Sequence, residues 1–166
     1  MISIMQKKII HVNDHLTPLA ILIVVPGLLV AQMPLSVRVC GGILIIWSLT
    51  VNYVTANVLG HHSGALAKFR VGSNYVVNIA LLWMLYVPWP IIWTLFLLTA
   101  YGLAVYQSRR DALRSAVMIA LLLLVVHGAM GVWSIAEWVL VGIKAAIIVI
   151  SAPFVNGLLA LAAPRP

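Results

Sequence analysis

Four residues in the C-terminal third are of the types and spacing that can move a proton or a cation: His127, Glu137, Lys144 and Ser151. Lys144 stands in Val141-Gly142-Ile143-Lys144-Ala145-Ala146, an apolar setting in which inserting an ammonium group into a membrane costs ~2.5–3.5 kcal/mol. Such a lysine faces a bundle interior, a water cavity or another subunit, or it snorkels to the interface. Glu137, Lys144 and Ser151 are seven apart, so a helix of 3.6 residues per turn sets all three on one face. With the joint between two antiparallel helices near Ala136, His127 and Lys144 lie nine and eight residues from it and are expected to be level. His127 is followed by Gly128, Ala129 and Gly131, whose small size allows close helix approach. A histidine that titrates near neutrality beside a lysine and a carboxylate makes a relay for a proton or small cation. The plain alternative is a packing histidine and a lysine that snorkels or pairs with Glu137 or a carbonyl.

A second group is expected on the cytoplasmic side, contributed by several helices. His61 and His62 are followed by Lys68 and Arg70, while Arg109, Arg110 and Arg114 form a second basic cluster and Asn57, Asn74, Asn78 and Asn156 are expected nearby. These donors suit an anionic head group, a phosphate or an acidic partner subunit. The alternative is that the cations meet anionic lipid and the asparagines bond between helices. His11 and His15 belong to an N-terminal segment expected in solvent.

Other chemistries lack their residues. There is no HExxH, no nucleophile elbow and no carboxylate pair, since Asp14, Asp111 and Glu137 are dispersed. An enzyme is therefore not the expected class, with a lipid- or isoprenoid-modifying activity built on histidine and arginine as the remaining catalytic option. No cofactor is evident. Two axial histidines of a haem must face one another at one depth, and only His127 is deep in an apolar run, so a haem held by this chain alone is not expected. No metal site is expected either. The lone Cys40 excludes an internal disulfide or a CxxC site and is read as a small helix residue.

The elements that must carry these residues follow from composition. Of 166 residues, 64% are hydrophobic and 8% charged, and the mean hydropathy is +1.13. Soluble domains stay near ~45–50% apolar and about 25% charged. A soluble enzyme, a nucleic-acid module and a disordered tail are excluded. Runs long enough to cross a bilayer occupy about residues 16–32, 37–59, 115–135 and 138–161, and residues 74–107 carry no charge over about twice the length of one crossing. Pro88-Trp89-Pro90 divides that stretch into 74–87 and 91–107. The expectation is one all-α integral-membrane domain, residues 1–166, with six transmembrane helices and a cytoplasmic or interfacial segment at 1–15.

Basic residues orient it. Ten lysines and arginines stand against three acids, and with six spans eight of the ten fall on one side, leaving Arg38 opposite and Lys144 inside a span. Were 74–107 a single crossing, five would lie outside and four inside. The positive-inside rule therefore gives both termini as cytoplasmic, in what is expected to be a bacterial inner membrane. The N-terminal stretch lacks the pattern of a cleaved signal peptide. Pro26-Gly27 and Pro153 interrupt spans one and six, as prolines do at transporter binding sites and also more generally in membrane helices. Asn52-Tyr53-Val54 and Asn74-Tyr75-Val76 echo one another without establishing a repeat.

The ending Lys144…Ser151-Ala152-Pro153…Leu161-Ala162-Ala163 resembles, over about twenty residues, the last helix of a small subunit of multisubunit cation/proton antiporters. Its lysine-to-proline spacing is shorter than that family's, and the family's other signatures are missing. In size and span count the chain is also similar to substrate-binding subunits of vitamin transporters. The expected function is a small transporter, or a membrane subunit of a larger transport or energy-converting complex, moving a small solute, cation or proton. Expected partners are membrane lipids and other membrane subunits or further copies, and no nucleic acid. The competing expectation is a structural or assembly subunit, packing against cofactor-bearing chains, whose polar residues only fix helix contacts.

Overall fold

The computed structural model describes residues 22–55, 64–131 and 134–162. Among them there is no strand. Helix α1 covers residues 22–30, α2 Leu35–Tyr53, α3 Gly64–Leu85, α4 Thr94–Tyr106, α5 Arg109–Ala129 and α6 Ile135–Ala162, with a 3-10 turn at Pro90–Trp93. Three helices, Leu35–Tyr53, Arg109–Ala129 and Ile135–Leu158 within α6, are long and apolar enough to cross a membrane; Gly72–Leu85 and Pro90–Ala104 are shorter apolar stretches. Their surfaces fit that reading. Ile46, Met118, Val125, Ile150 and Phe154 are each more than 60% exposed, which water does not tolerate over contiguous patches.

Two helices start well before their apolar runs. α3 begins at Gly64 and α5 at Arg109, so Lys68 and Arg70 stand in the first two turns of α3, and Arg109, Arg110 and Arg114 in those of α5. These residues are helical, not loop. Apolarity marks where a helix meets hydrocarbon; hydrogen bonding marks where it starts.

The described residues fall into two compact units, 22–92 and 93–162. In the first, Val24, Leu28 and Ala31 give α1 a buried face, and Leu28 packs onto Gly41 of α2, where an added Cβ would stand 2.6 Å from Leu28 Cδ2. Pro34, locked at φ −56° and ψ 147°, turns the chain between these helices. Arg38, in the first turn of α2, donates to the carbonyl of Ala31 at 3.0 Å and satisfies the end of α1. Gly27 is a seat. An added Cβ there would stand 2.6 Å from Cγ of Trp89, so the indole of the Pro88-Trp89-Pro90 turn lies against the α1 backbone.

The second unit is a three-helix antiparallel arrangement in which α4 and α6 run parallel and α5 returns between them in sequence. Its core interleaves Leu95, Phe96, Ala100 and Ala104 of α4, Ala112, Ala116, Ile119, Leu123 and Val126 of α5, and Val141, Ala145, Ile148 and Ala152 of α6. The α5 and α6 rows alternate steps of four and three, the 3.5-residue repeat that keeps a seam facing its neighbour.

Two serines open α5 and α6 in the same way. Ser108 Oγ accepts from the Asp111 amide at 3.3 Å and donates to Asp111 Oδ2 at 2.6 Å, and Ser134 Oγ does the same with Glu137, at 3.2 and 2.6 Å. Both are S-x-x-[DE] capping arrangements, which place a carboxylate at the positive end of a helix. Two residues past the end of α5, Gly131 takes a φ of 71°, which glycine adopts without strain.

Candidate functional site

The elements bring the sequence-derived candidates to separate places. His127, in the last turn of α5, is buried, and its ring meets Trp138 of α6 edge-on at 4.9 Å between centroids. Gly128 leaves room for the same indole, since an added Cβ would be 3.5 Å from it. This contact sets the register of the hairpin. His127 is level with Trp138, and Lys144 lies six residues, or about 9 Å, further along α6. The expected levelling of His127 with Lys144 is therefore displaced. Its cause is the position of the apex, which Gly131 and Ser134 bring forward from Ala136.

Lys144 finds a different partner. Its Nζ lies 5.9 Å from the centroid of Trp93, at the start of α4. The side chain is half-buried, flanked inward by Val141, Ala145 and Ile148 and outward by Leu140, Ile143 and Ile147. A cation over an indole gains ~0.5–2 kcal/mol, weakest near 6 Å and when solvated, against ~2.5–3.5 kcal/mol to place a lysine at the centre of a bilayer. The ring offsets part of that cost. Glu137, exposed at the first turn of α6, is occupied by Ser134 and lies seven residues from Lys144. Ser151 donates to the carbonyl of Ile147 one turn back, the ordinary way for a serine to satisfy itself inside an apolar helix. Glu137, Lys144 and Ser151 do share one flank of α6, as their spacing requires, each with its own local partner.

At the opposite end of the second unit, Asn156 of α6 donates to the carbonyls of Ala104 and Gln107, at 2.7 and 2.9 Å. These are end carbonyls of α4, left without amide partners where Gln107 turns extended. Ser115 donates to Gln107 Oε1 at 2.9 Å, tying α5 to the same corner. Arg109 and Arg110 are exposed, and Arg114 meets Asp111 at 3.5 Å on the surface. In the first unit, Asn74 of α3 and Asn52 of α2 pair reciprocally at 2.9 and 3.0 Å, and Ser48 adds a donor to Asn74 Oδ1 at 2.9 Å. Lys68 and Arg70 belong to this unit. His61, His62 and Asn57, like His11 and His15, lie outside the described residues.

Asn52 and Ser48 were not among the sequence candidates. Their signal was the Asn52-Tyr53-Val54 echo of Asn74-Tyr75-Val76, which marks two asparagines that bond each other. Ser108 and Ser134 were also legible, each three residues before an acid at the head of an apolar run. Among the described residues, no three histidine, cysteine or acidic side chains gather as a metal site would require. Comparison of the chain with protein-family models, with curated proteins and with solved structures gives no match in any of the three.

Proposed function

We propose that this chain is a six-span inner-membrane protein with both termini cytoplasmic, working as a membrane subunit of a transport or energy-converting assembly that moves a small solute, cation or proton. The observation that carries the reading is Lys144: a lysine midway along the most apolar helix, met among the described residues by an indole, whereas Asn52, Asn74 and Asn156 in the apolar helices are hydrogen-bonded. A charge kept at such a cost is a functional hypothesis by default. The displaced His127 makes a direct two-residue relay less apt than a role for Lys144 by itself. Arg109, Arg110 and Arg114, exposed at the start of α5, suit contact with anionic lipid at the cytoplasmic face.

The test is solute or proton flux in vesicles holding the chain with whatever copurifies in mild detergent. Lys144→Met, at matched protein level, should abolish flux while expression and assembly persist. Arginine should not restore it, if the step needs the lysine to lose its proton. Flux equal to wild type rejects the transport role. A second reading, that of a purely structural subunit, is favoured by the Asn52–Asn74 and His127–Trp138 contacts, which hold helices together. It requires Lys144→Met to be silent in the same assay.

A further inference from the structure

Leu140, Lys144, Ile147, Ser151, Phe154 and Leu158 follow one another along α6 at intervals of four, three, four, three and four. This is the repeat of a coiled-coil seam, and it matches the inner row Val141, Ala145, Ile148 and Ala152 that packs in the second unit. At about 100° per residue the second row lies roughly 110° around the helix from the first. Its apolar members are uncovered, Leu140, Ile147 and Phe154 being 51%, 41% and 63% exposed, and Lys144, over Trp93, and Ser151 are half-buried between them. Leucine, isoleucine and phenylalanine suit lipid. A lysine and a serine at alternate positions of the same row do not.

We propose that this row is a helix–helix interface, and that its occupant is a transmembrane helix of a different chain carrying a carboxylate level with Lys144. The inference rests on the membrane-subunit reading and names the chemistry of the partner. Charge is the first argument. Among the described residues the only acids are Asp111 and Glu137, both engaged by capping serines at helix starts, so neither is placed to neutralise Lys144. Symmetry is the second. Copies of one chain in one membrane share an orientation, so self-pairing on this row sets α6 parallel to α6 and Lys144 against Lys144, a like-charge contact. A polar residue at such a position of a seam selects register and partner, and here it selects an acid.

The full chain, labelled with a fluorescent donor at Cys40, is reconstituted in phosphatidylcholine vesicles with an acceptor-labelled leucine/alanine peptide of about 23 residues, long enough to span. The peptide carries one central glutamate, or glutamine in its place. Lys144 lies two to three residues from the middle of Ile135–Leu158, so a central carboxylate is level with it in either orientation. The glutamate peptide should associate about three- to twentyfold more tightly than the glutamine peptide. That preference should vanish in Lys144→Met, while Phe154→Ala weakens both peptides alike. Equal binding of the two peptides, a preference that survives Lys144→Met, or energy transfer between copies of the chain that Ile147→Ala abolishes each overturns the proposal. So does loss of the preference when phosphatidylglycerol replaces part of the neutral lipid, which would assign Lys144 to a lipid phosphate. The flux assay stands apart from this one, so the subunit reading and the seam can fail separately.

Discussion

The reciprocal pair Asn52–Asn74 can be broken and its strength counted. Three side-chain hydrogen bonds that join α2 to α3 involve Asn74: Ser48 to Asn74, Asn52 to Asn74 and Asn74 to Asn52, at 2.9, 3.0 and 2.9 Å, beside a separate one from Trp47 to Ser73 at 2.9 Å. Interhelical side-chain bonds inside membrane proteins average ~0.6 kcal/mol, with a maximum of about 1.7. Asn74→Ala loses all three and should destabilise by about 2 kcal/mol. Asn52→Ala loses two of them, about 1.2 kcal/mol, and Ser48→Ala one, about 0.6 kcal/mol. Asn52 Nδ2 also donates to the Ser48 carbonyl at 2.8 Å, which softens the loss of Asn74 by leaving it one acceptor. The double variant Asn52→Ala/Asn74→Ala loses no further interhelical bond, so the two single effects should exceed the double by about 1.2 kcal/mol, the strength of the two shared bonds. The assay is unfolding by dodecyl sulfate in mixed micelles, followed by tryptophan fluorescence, on all four members of the cycle. Additive effects within about 0.5 kcal/mol would refute the pairing.

Gly27→Ala should destabilise by about 1–3 kcal/mol in the same titration, because its Cβ would stand 2.6 Å from the Trp89 ring, and Trp89→Leu should recover most of the loss. A silent Gly27→Ala would remove the indole from that seat. In a Cys40→Ser background, cysteines at the exposed positions Arg110 and Ile135 should react with an impermeant maleimide from opposite sides of the membrane, Arg110 from the cytoplasm. Reaction from one side only would show that α5 does not cross.

Two of the helix breaks among the described residues were legible because the apolar runs before them are closed by strong punctuators, Met33-Pro34 and the Pro88-Trp89-Pro90 turn. Helix ends were less so. Hydropathy cannot see a polar first turn, and α3 and α5 open with Lys68, Arg70, Arg109 and Arg110 inside the helix. The site suffered from the same blindness. Taking Glu137 as part of the hairpin joint, rather than as the acid of a capping arrangement, moved the apex by about one turn and drew Lys144 level with His127. The capping role of one serine thus decided whether two residues shared a depth.

Among the described residues, most of the candidate polar side chains have a partner within the protein, and the apparent wealth of sites narrows. Asn52, Asn74 and Ser48 satisfy each other, Asn156 closes the end of α4, Arg38 closes α1, His127 packs on Trp138, and Asp111 and Glu137 start helices. For Asn52, Asn74, Ser48 and Asn156 this follows the rule that a buried donor or acceptor must be paired. Lys144 alone is met by a ring that offsets only part of its cost, and it sits in a row with the repeat of a packing seam. Electrostatics and periodicity are independent properties of the helix, one set by a single side chain and the other by its neighbours. Their coincidence at one position points outward from the chain, to an acid on another helix.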